Sequence, residues 1–283
     1  MGGEKFFNIK CRASGLRPSC AVVVCTVRAL KLHSNEAPKV VAGSALAKEY
    51  CEENLPLVEK GACNLLAHIK NVSAHGVRVV VAINRFHTDT DAEVALIAKL
   101  AKAGGAFDAV EASHFAHGGA GAAALGRAVM AACETANTAN FKFLYPSTAS
   151  IKQKIEAIVR GAYGGAGAAY SDQVTSLPHP SAHRRSHLPA DDAAYFVLSA
   201  RIRHPHCPVQ QAEARIKQYE TDPMLAKLPV CMSKTQYSLT DDATKLGAPT
   251  GFTVTVKDIY ASQVRRRYAE KNGIAPRALS CSL

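Results

Sequence analysis

The sequence predicts an α/β fold in which helices flank a parallel sheet, followed by a smaller C-terminal α/β part. Between residues 21 and 134, short β-branched runs alternate with longer amphipathic runs, which is typical of parallel strands joined by helices. Apolar periodicity returns at residues 212–262 after a change in composition. We expect an α/β core at residues 1–172, a low-order His/Pro-rich insertion at 173–211, a C-terminal α/β segment at 212–262 and a divergent tail at 263–283.

Three strands are predicted in the core, at residues 21–27, 77–83 and 107–110. The first two are continuous apolar runs, which suit strands buried on both faces. Parallel strands joined by right-handed crossovers bind ligands outside their carboxyl ends. The segments that follow these ends, and that therefore form the candidate site, are residues 26–31, 84–90 and 113–121.

Helices are predicted between and after these strands. Residues 47–74 show apolar positions near a 3.6-residue period and predict one long helix. Residues 90–103 predict another, which Gly104 and Gly105 end. Its N-cap is one of three neighbouring residues, Thr88, Asp89 or Thr90. A further helix is predicted at residues 151–163, before a segment rich in Gly and Ala.

Composition excludes several classes of protein. Hydrophobic residues make up 48% and charged residues 20% of the 283 residues, which indicates a packed globular fold. No apolar run approaches the roughly 20 residues that cross a bilayer, so we expect no membrane partner. The N-terminus lacks the pattern of a secretory signal, and the nine cysteines form no C-x-x-C pair. We therefore expect a cytoplasmic protein, or an organellar one if a leader is missing.

The net charge of +11 raises the alternative of a nucleic-acid-binding protein. Much of the excess lies in residues 174–210 and 257–283, which carry little sign of an ordered core. Aromatic residues are not interleaved with basic ones as in a stacking platform. We therefore expect no nucleic-acid partner.

Five ordered strings resemble one family. They are KFFNIKCR (residues 5–12) with SGLRP (14–18), TVRALK (26–31), VVVAINRF (79–86) with TDT (88–90), the Gly118–Gly119 loop, and LPVCMSKTQYSL (228–239). Together they resemble formate-tetrahydrofolate ligase, over about residues 3–172 and 212–262. The resemblance implies a partial P-loop NTPase-like ligase fold and the ATP-dependent ligation of formate to tetrahydrofolate, giving 10-formyltetrahydrofolate.

The sequence departs from the family pattern in three places. The glycine-rich phosphate loop of the family has no counterpart before Phe6, residues 174–210 match nothing recognisable, and the chain diverges after Ser262. Our hypothesis is that an incomplete or mis-spliced gene model accounts for all three departures. Because such a loop holds the triphosphate, we expect the chain alone to be inactive. The alternative is a non-catalytic module that binds folate or a partner protein.

Cationic residues near strand ends are the candidate catalytic groups. The resemblance implies that formate attacks the γ-phosphate of ATP, and phosphoryl transfer needs cations around the phosphate. Arg12, Arg28 and Lys31 are predicted to supply them, although each is equally suited to a salt bridge. The implied ligands are formate, ATP, Mg²⁺, tetrahydrofolate and a monovalent cation.

Aromatic and polar residues after the strands are the candidate binding groups. Phe86 and Phe115 match the Phe and Trp that sandwich folate in the family, and a Phe in place of a Trp predicts weaker stacking. The alternative for both is a ring that caps the core. Asn84, Thr88 and Asp89 suit recognition of a purine or ribose, with helix capping as the alternative for the last two. Four further candidates for nucleotide binding are Gly118, Gly119, Lys234 and Thr235.

A histidine-rich stretch is the remaining candidate. His179, His183 and His187 are spaced four apart, a spacing that would place zinc ligands on one face of a helix. Intervening prolines oppose that helix, so we predict no metal site there. The sequence leaves open whether the parent enzyme has one function or several and whether it forms a homo-oligomer.

Overall fold

The computed structural model describes residues 2–41, 43–171, 195–202, 212–233 and 238–264. They form an α/β architecture with two separate sheets. The strands are β1 (Cys20–Cys25), β2 (Arg78–Asn84), β3 (Asp108–Ala112), β4 (Gly167–Tyr170), β5 (Tyr195–Ile202), β6 (Val230–Ser233) and β7 (Thr253–Val264).

The α-helices are α1 (Gly2–Lys5), α2 (Arg12–Ser14), α3 (Val27–His33), α4 (Lys48–Cys51), α5 (Leu55–Ser73), α6 (Asp91–Ala103), α7 (His114–His117), α8 (Ala123–Glu134), α9 (Ile151–Ile158), α10 (Ala212–Glu220) and α11 (Pro223–Ala226). Residues Phe6–Cys11 and Val159–Tyr163 are π-helical, and Gly118–Ala122 and Thr138–Asn140 are short 3₁₀ helices. Among these described residues, no helix is both long enough and apolar enough to span a membrane.

The first sheet is parallel, with strand order β1-β2-β3. Its three strands and its flanking helices confirm the predicted α/β class. The first strand is shorter than predicted, because it ends at Cys25 and Val27 already belongs to α3. The Thr26 hydroxyl accepts a hydrogen bond from the Ala29 backbone, which begins this helix directly after the strand.

The single helix predicted at residues 47–74 is wrong, since α4 and α5 are separate helices. The side chain of Asn54 caps α5 by accepting a hydrogen bond from the Leu57 backbone, and Pro56 occupies the first turn. Both residues favour the start of a new helix over continuation of the previous one. The helix predicted at residues 151–163 is confirmed as α9 and the π-helical turn that follows it.

The second sheet is mixed, with strand order β4-β7-β5-β6. β7 pairs parallel to β4 and antiparallel to β5, and β5 pairs parallel to β6. The prediction of low order through residues 173–211 is wrong for Tyr195–Ile202, which is an internal strand of this sheet. The apolar run of this strand is short, and the strand is ordered by pairing with β6 and β7, which lie far along the chain. β7 also extends to Val264, two residues into the predicted tail.

Helix α3 packs closely on α5, and this packing positions the candidate site. A Cβ atom on Gly61 of α5 would overlap the backbone carbonyl of Leu30, so glycine is required at this contact. Leu30 and Val58 are buried in the same core cluster, on one face of the first sheet. The close approach holds α3, which begins just after β1, against α5.

Candidate functional site

Arg28 lies in the first turn of α3, immediately beyond the carboxyl end of β1. Its guanidinium carbon lies 4.4 Å from the ring centroid of Phe86, a cation–π contact. Its terminal nitrogen donates a 3.0 Å hydrogen bond to the Thr88 hydroxyl. The contact therefore connects the start of α3 with the loop after β2, as the parallel topology predicts.

The loop after β2 is held in shape by Asp89. A carboxylate oxygen of Asp89 accepts a 2.9 Å hydrogen bond from the Phe86 backbone, and the Asp89 backbone donates to the Phe86 carbonyl at 3.0 Å. Burial raises the pKa of the Asp89 carboxyl, and the nearby Arg28 charge opposes that rise. Asp89 thus fixes the backbone at Phe86.

This cluster contains two buried polar atoms that are not hydrogen bonded within the described part of the chain. Neither the Nε of Arg28 nor the Oδ1 of Asp89 has a hydrogen-bond partner among the described residues. Leaving such a group unpaired costs about 1–3 kcal/mol, so native proteins rarely do so away from functional sites.

Thr90 is the N-cap of α6, which decides among the three predicted candidates. The Thr90 hydroxyl accepts from the Glu93 backbone at 3.3 Å, and the Glu93 carboxylate accepts from the Thr90 backbone at 3.2 Å. This reciprocal pair is a capping box. Thr88 and Asp89 are therefore not required as caps, and their predicted contact with a nucleotide stays a prediction.

Lys31 lies one turn after Arg28 on α3 and is fully buried. Its ammonium forms a 2.7 Å ion pair with Glu93 and donates a 2.6 Å hydrogen bond to the Glu52 carbonyl. The same carboxylate oxygen of Glu93 accepts from the Asn54 backbone at 2.9 Å. These contacts favour a structural role for Lys31 over contact with a transferred phosphate.

Glu93 was missed by the sequence analysis. The pattern Thr90-x-x-Glu93 was readable as a capping box, whereas its pairing with Lys31 depends on packing between helices. Arg85 was missed as well. Its guanidinium contacts Asp91 at 2.7 Å and Glu111 at 3.1 Å, and thereby joins the end of β2 to α6 and β3.

The loop after β3 carries Phe115 and the glycines. Phe115 lies on the short helix α7, with 96% of its side chain exposed. Gly118 has a φ of 58°, a conformation that favours glycine. A Cβ on Gly121 would lie 2.6 Å from the Ser113 carbonyl carbon and oxygen, so this loop folds back closely on the end of β3.

Comparisons with known proteins identify the family. A family model described as formate–tetrahydrofolate ligase matches residues 1–189 and 207–264. The chain belongs to the formate–tetrahydrofolate ligase family. It is 45% identical over 262 residues to the formate–tetrahydrofolate ligase of Arabidopsis thaliana, covering 93% of this chain and 35% of that protein.

Other relatives of this ligase family are longer still. The chain is 45% identical to the Spinacia oleracea formate–tetrahydrofolate ligase, of which it covers 34%. It is 42% identical to the cytoplasmic C-1-tetrahydrofolate synthase of Saccharomyces cerevisiae, covering 93% of this chain and 23% of that protein. The chain thus spans about a third, or less, of the length of these relatives.

The structure of this ligase-family chain brings together only part of the predicted site. Arg28, Phe86, Thr88 and Asp89 form one cluster. Asn84 is the last residue of β2 and is half-buried beside it. Phe115, Gly118 and Gly119 follow the neighbouring strand β3, and no ring–ring contact among the described residues joins Phe86 to Phe115. Lys234 and Thr235 lie outside the described residues.

Arg12 does not join this cluster. Its guanidinium lies 4.0 Å from the Phe143 ring centroid and donates a 2.6 Å hydrogen bond to the Tyr145 carbonyl. It also donates to the Asn8 carbonyl at 3.1 Å. None of these contacts involves Arg28 or Lys31, so the three cations predicted to surround one phosphate are divided between different environments.

The described residues do not supply a recognisable metal site. Within them, no group of three or more His, Cys, Asp or Glu side chains is arranged to hold a metal ion. His179, His183 and His187 of the histidine-rich stretch lie outside the described residues. We therefore assign no described residue to Mg²⁺ or to a monovalent cation.

Proposed function

We propose that this chain provides the folate-binding edge of a ligase that joins formate to tetrahydrofolate at the expense of ATP. The observation that carries the proposal is the stacking of Arg28 on Phe86 at the carboxyl ends of two parallel strands. Family membership supports the reaction, and the cluster supports the place at which the pterin binds.

The exposed face of Phe86 suits a flat ligand. The ring is 38% exposed although its backbone is anchored by Asp89. An aromatic ring held in a fixed orientation can stack on a pterin with little loss of conformational entropy. Phe115 follows the adjacent strand, and its exposed ring is the candidate for the opposite face of the pterin.

Arg28 is the candidate for the charged part of the chemistry. In the reaction that the family carries out, formate attacks the γ-phosphate of ATP, and the resulting formyl phosphate formylates an amine of tetrahydrofolate. A cation near the acyl phosphate stabilises the negative charge of the transition state. The buried Nε of Arg28 has no partner among the described residues, so this N–H is the donor that we propose for an anion.

A titration with tetrahydrofolate tests the folate site. Phe86→Ala should weaken binding by about tenfold, because stacking and the contact with Arg28 are worth about 1–2 kcal/mol together. Phe107→Ala is the matched control, since Phe107 is 37% exposed and lies 5.0 Å from the guanidinium of Arg78. Arg78 begins β2 and Phe107 comes directly before β3, so this second pair lies at the opposite end of the sheet. Equal losses in the two variants would contradict the proposed site.

A measurement of formate-dependent ADP release tests the reaction. The 283 residues contain no glycine-rich loop ending in Gly-Lys-Thr or Gly-Lys-Ser, so we expect the chain alone to bind tetrahydrofolate without turnover. Robust ADP release would contradict this expectation. Failure to bind tetrahydrofolate at all would contradict the proposed folate site. We propose a cytoplasmic location, with small-molecule partners and neither nucleic-acid nor membrane partners.

A further inference from the structure

Two free cysteines meet where β1 packs against α8. Cys20, the first residue of β1, packs against a cluster that contains Val80 and Ala132. Cys133 follows Ala132 in the last turn of α8, and it lies close enough to the Cys20 thiol to add to the rise in pKa that burial causes there. Both residues are free thiols.

The strand register independently places these two segments side by side. Cys20 lies opposite Arg78 in the pairing of β1 with β2. The Arg78 guanidinium donates a 2.8 Å hydrogen bond to the Thr135 carbonyl, two residues beyond Cys133. Neighbouring strands lie about 4.8 Å apart. Arg78, which is hydrogen bonded to the end of α8, is therefore also the nearest cross-strand neighbour of Cys20.

The two thiols differ in accessibility. Cys133 is exposed, whereas Cys20 is half-buried. Burial raises the pKa of the Cys20 thiol. Because the thiolate is the attacking form, the exposed Cys133 is the thiol that meets a dissolved oxidant first.

We propose that Cys20 and Cys133 form a reversible disulfide, which makes the pair a redox modification site for small disulfides such as oxidised glutathione. The Cys133 thiolate attacks one sulfur of oxidised glutathione and releases one glutathione thiolate. Cys20 then loses its proton to solvent and attacks the Cys133 sulfur, which expels the second glutathione thiolate. In total, the two protein thiols lose two protons and two electrons, and one oxidised glutathione becomes two reduced molecules.

This modification joins the first strand of the first sheet to a helix that packs on the sheet. Strand β1 leads directly to α3, and α8 follows the glycine loop after β3. A disulfide between them closes a long loop and restricts the unfolded chain. Oxidation should therefore raise the melting temperature, and dithiothreitol should reverse the rise. The proposal does not depend on the folate site.

Disulfide mapping of the full chain tests the proposal. Folded protein is incubated with oxidised glutathione at about pH 8, where thiolates form, then alkylated, digested and analysed by mass spectrometry. Every sample carries Cys207→Ser and Cys281→Ser, which remove two cysteines outside the described residues. A peptide linking Cys20 to Cys133 should be the main crosslinked product.

Three single variants separate the steps. Cys20→Ser should leave a stable glutathione adduct on Cys133, and Cys133→Ser should abolish the linked peptide. Cys63 is the matched control, because it is also an exposed free thiol; Cys63→Ser should leave the yield of the linked peptide unchanged. The proposal is overturned if the folded protein gives no linked peptide, or no more than the urea-unfolded protein gives. If a variant folds poorly, the rise in melting temperature of the parent chain on oxidation provides a second readout. Absence of this rise in protein that contains the Cys20–Cys133 disulfide would also contradict the proposal.

Discussion

The ammonium of Lys31 lies 2.7 Å from a carboxylate oxygen of Glu93, and their side chains are only 1% and 0% exposed. The carboxylate also accepts hydrogen bonds from the backbones of Asn54 and Thr90. One buried ion pair thus connects α3 with the start of α5 and the start of α6. Since α3 also carries Arg28, this pair positions the candidate site without being part of it.

Lys31→Met should lower the free energy of unfolding by about 3–5 kcal/mol, because it leaves the Glu93 charge buried and unpaired. Lys60→Met is the matched control, since Lys60 pairs with Glu36 and both side chains are 55% exposed; it should change stability by less than about 1 kcal/mol. Urea denaturation measures both. The double variant Lys31→Met/Glu93→Leu should recover part of the loss, and a Lys31→Met protein as stable as Lys60→Met would contradict this role.

Arg12→Met and Arg28→Met should distinguish a structural role of Arg12 from a ligand-binding role of Arg28. Arg12→Met removes hydrogen bonds to the Asn8 and Tyr145 carbonyls and should lower the free energy of unfolding by about 2 kcal/mol. Arg28→Met should cost less than about 1 kcal/mol but weaken tetrahydrofolate binding. Denaturation and titration are measured on both proteins. The reverse pattern would assign the ligand to the environment of Arg12.

Gly121→Ala should destabilise the loop after β3 by about 1–3 kcal/mol, because the added methyl group would overlap the Ser113 backbone. Gly119→Ala provides the control in the same loop, since no atom lies within 4 Å of the Cβ position at Gly119. Thermal melting compares the two. Equal melting temperatures would show that the loop does not fold back on Ser113.

Glu4 should make stability depend on pH near neutrality. Burial raises the pKa of its carboxyl to about 7, although a hydrogen bond from Asn8 opposes the rise. The folded chain therefore binds more protons than the unfolded chain between the ordinary pKa of 4.5 and about 7. The contribution of Glu4 to stability is largest below this window and is lost as pH rises through it, by at most about 3 kcal/mol.

Glu4→Gln should remove this dependence. The variant should be more stable than the parent at about pH 8 and similar to it near pH 4. The exposed Glu59→Gln should show no such crossover. Denaturation series over this pH range measure the difference in free energy of unfolding between each variant and the parent. Burial lowers the pKa values of His33 and His75, so their contributions have the opposite pH dependence. Taking the difference cancels these contributions. A constant difference at all pH values would contradict the raised pKa of Glu4.

Local sequence patterns predicted most of the first sheet. Continuous runs of β-branched residues identified β1 and β2, and Gly104 identified the end of α6, whereas the structure was needed to choose Thr90 among the three candidates for its N-cap. The gap between α4 and α5 was readable too, because Asn54 and Pro56 are start signals, but the apolar periodicity outweighed them. The strand at Tyr195–Ile202 was not readable, since it is ordered by partners far away in the chain.

The candidate site likewise combines features that were predictable from local sequence with features that depend on tertiary packing. The sequence by itself determined the α/β class, the family, and the strand ends after which Arg28, Phe86 and Phe115 occur, because each depends on residues close together in the chain. Only the tertiary structure decided that Arg28 stacks on Phe86, that Lys31 is occupied by Glu93 and that Arg12 lies elsewhere. Whether a cation faces a ligand or a buried carboxylate depends on which helices pack together, and the Leu30–Gly61 contact that sets this packing joins residues from separate segments.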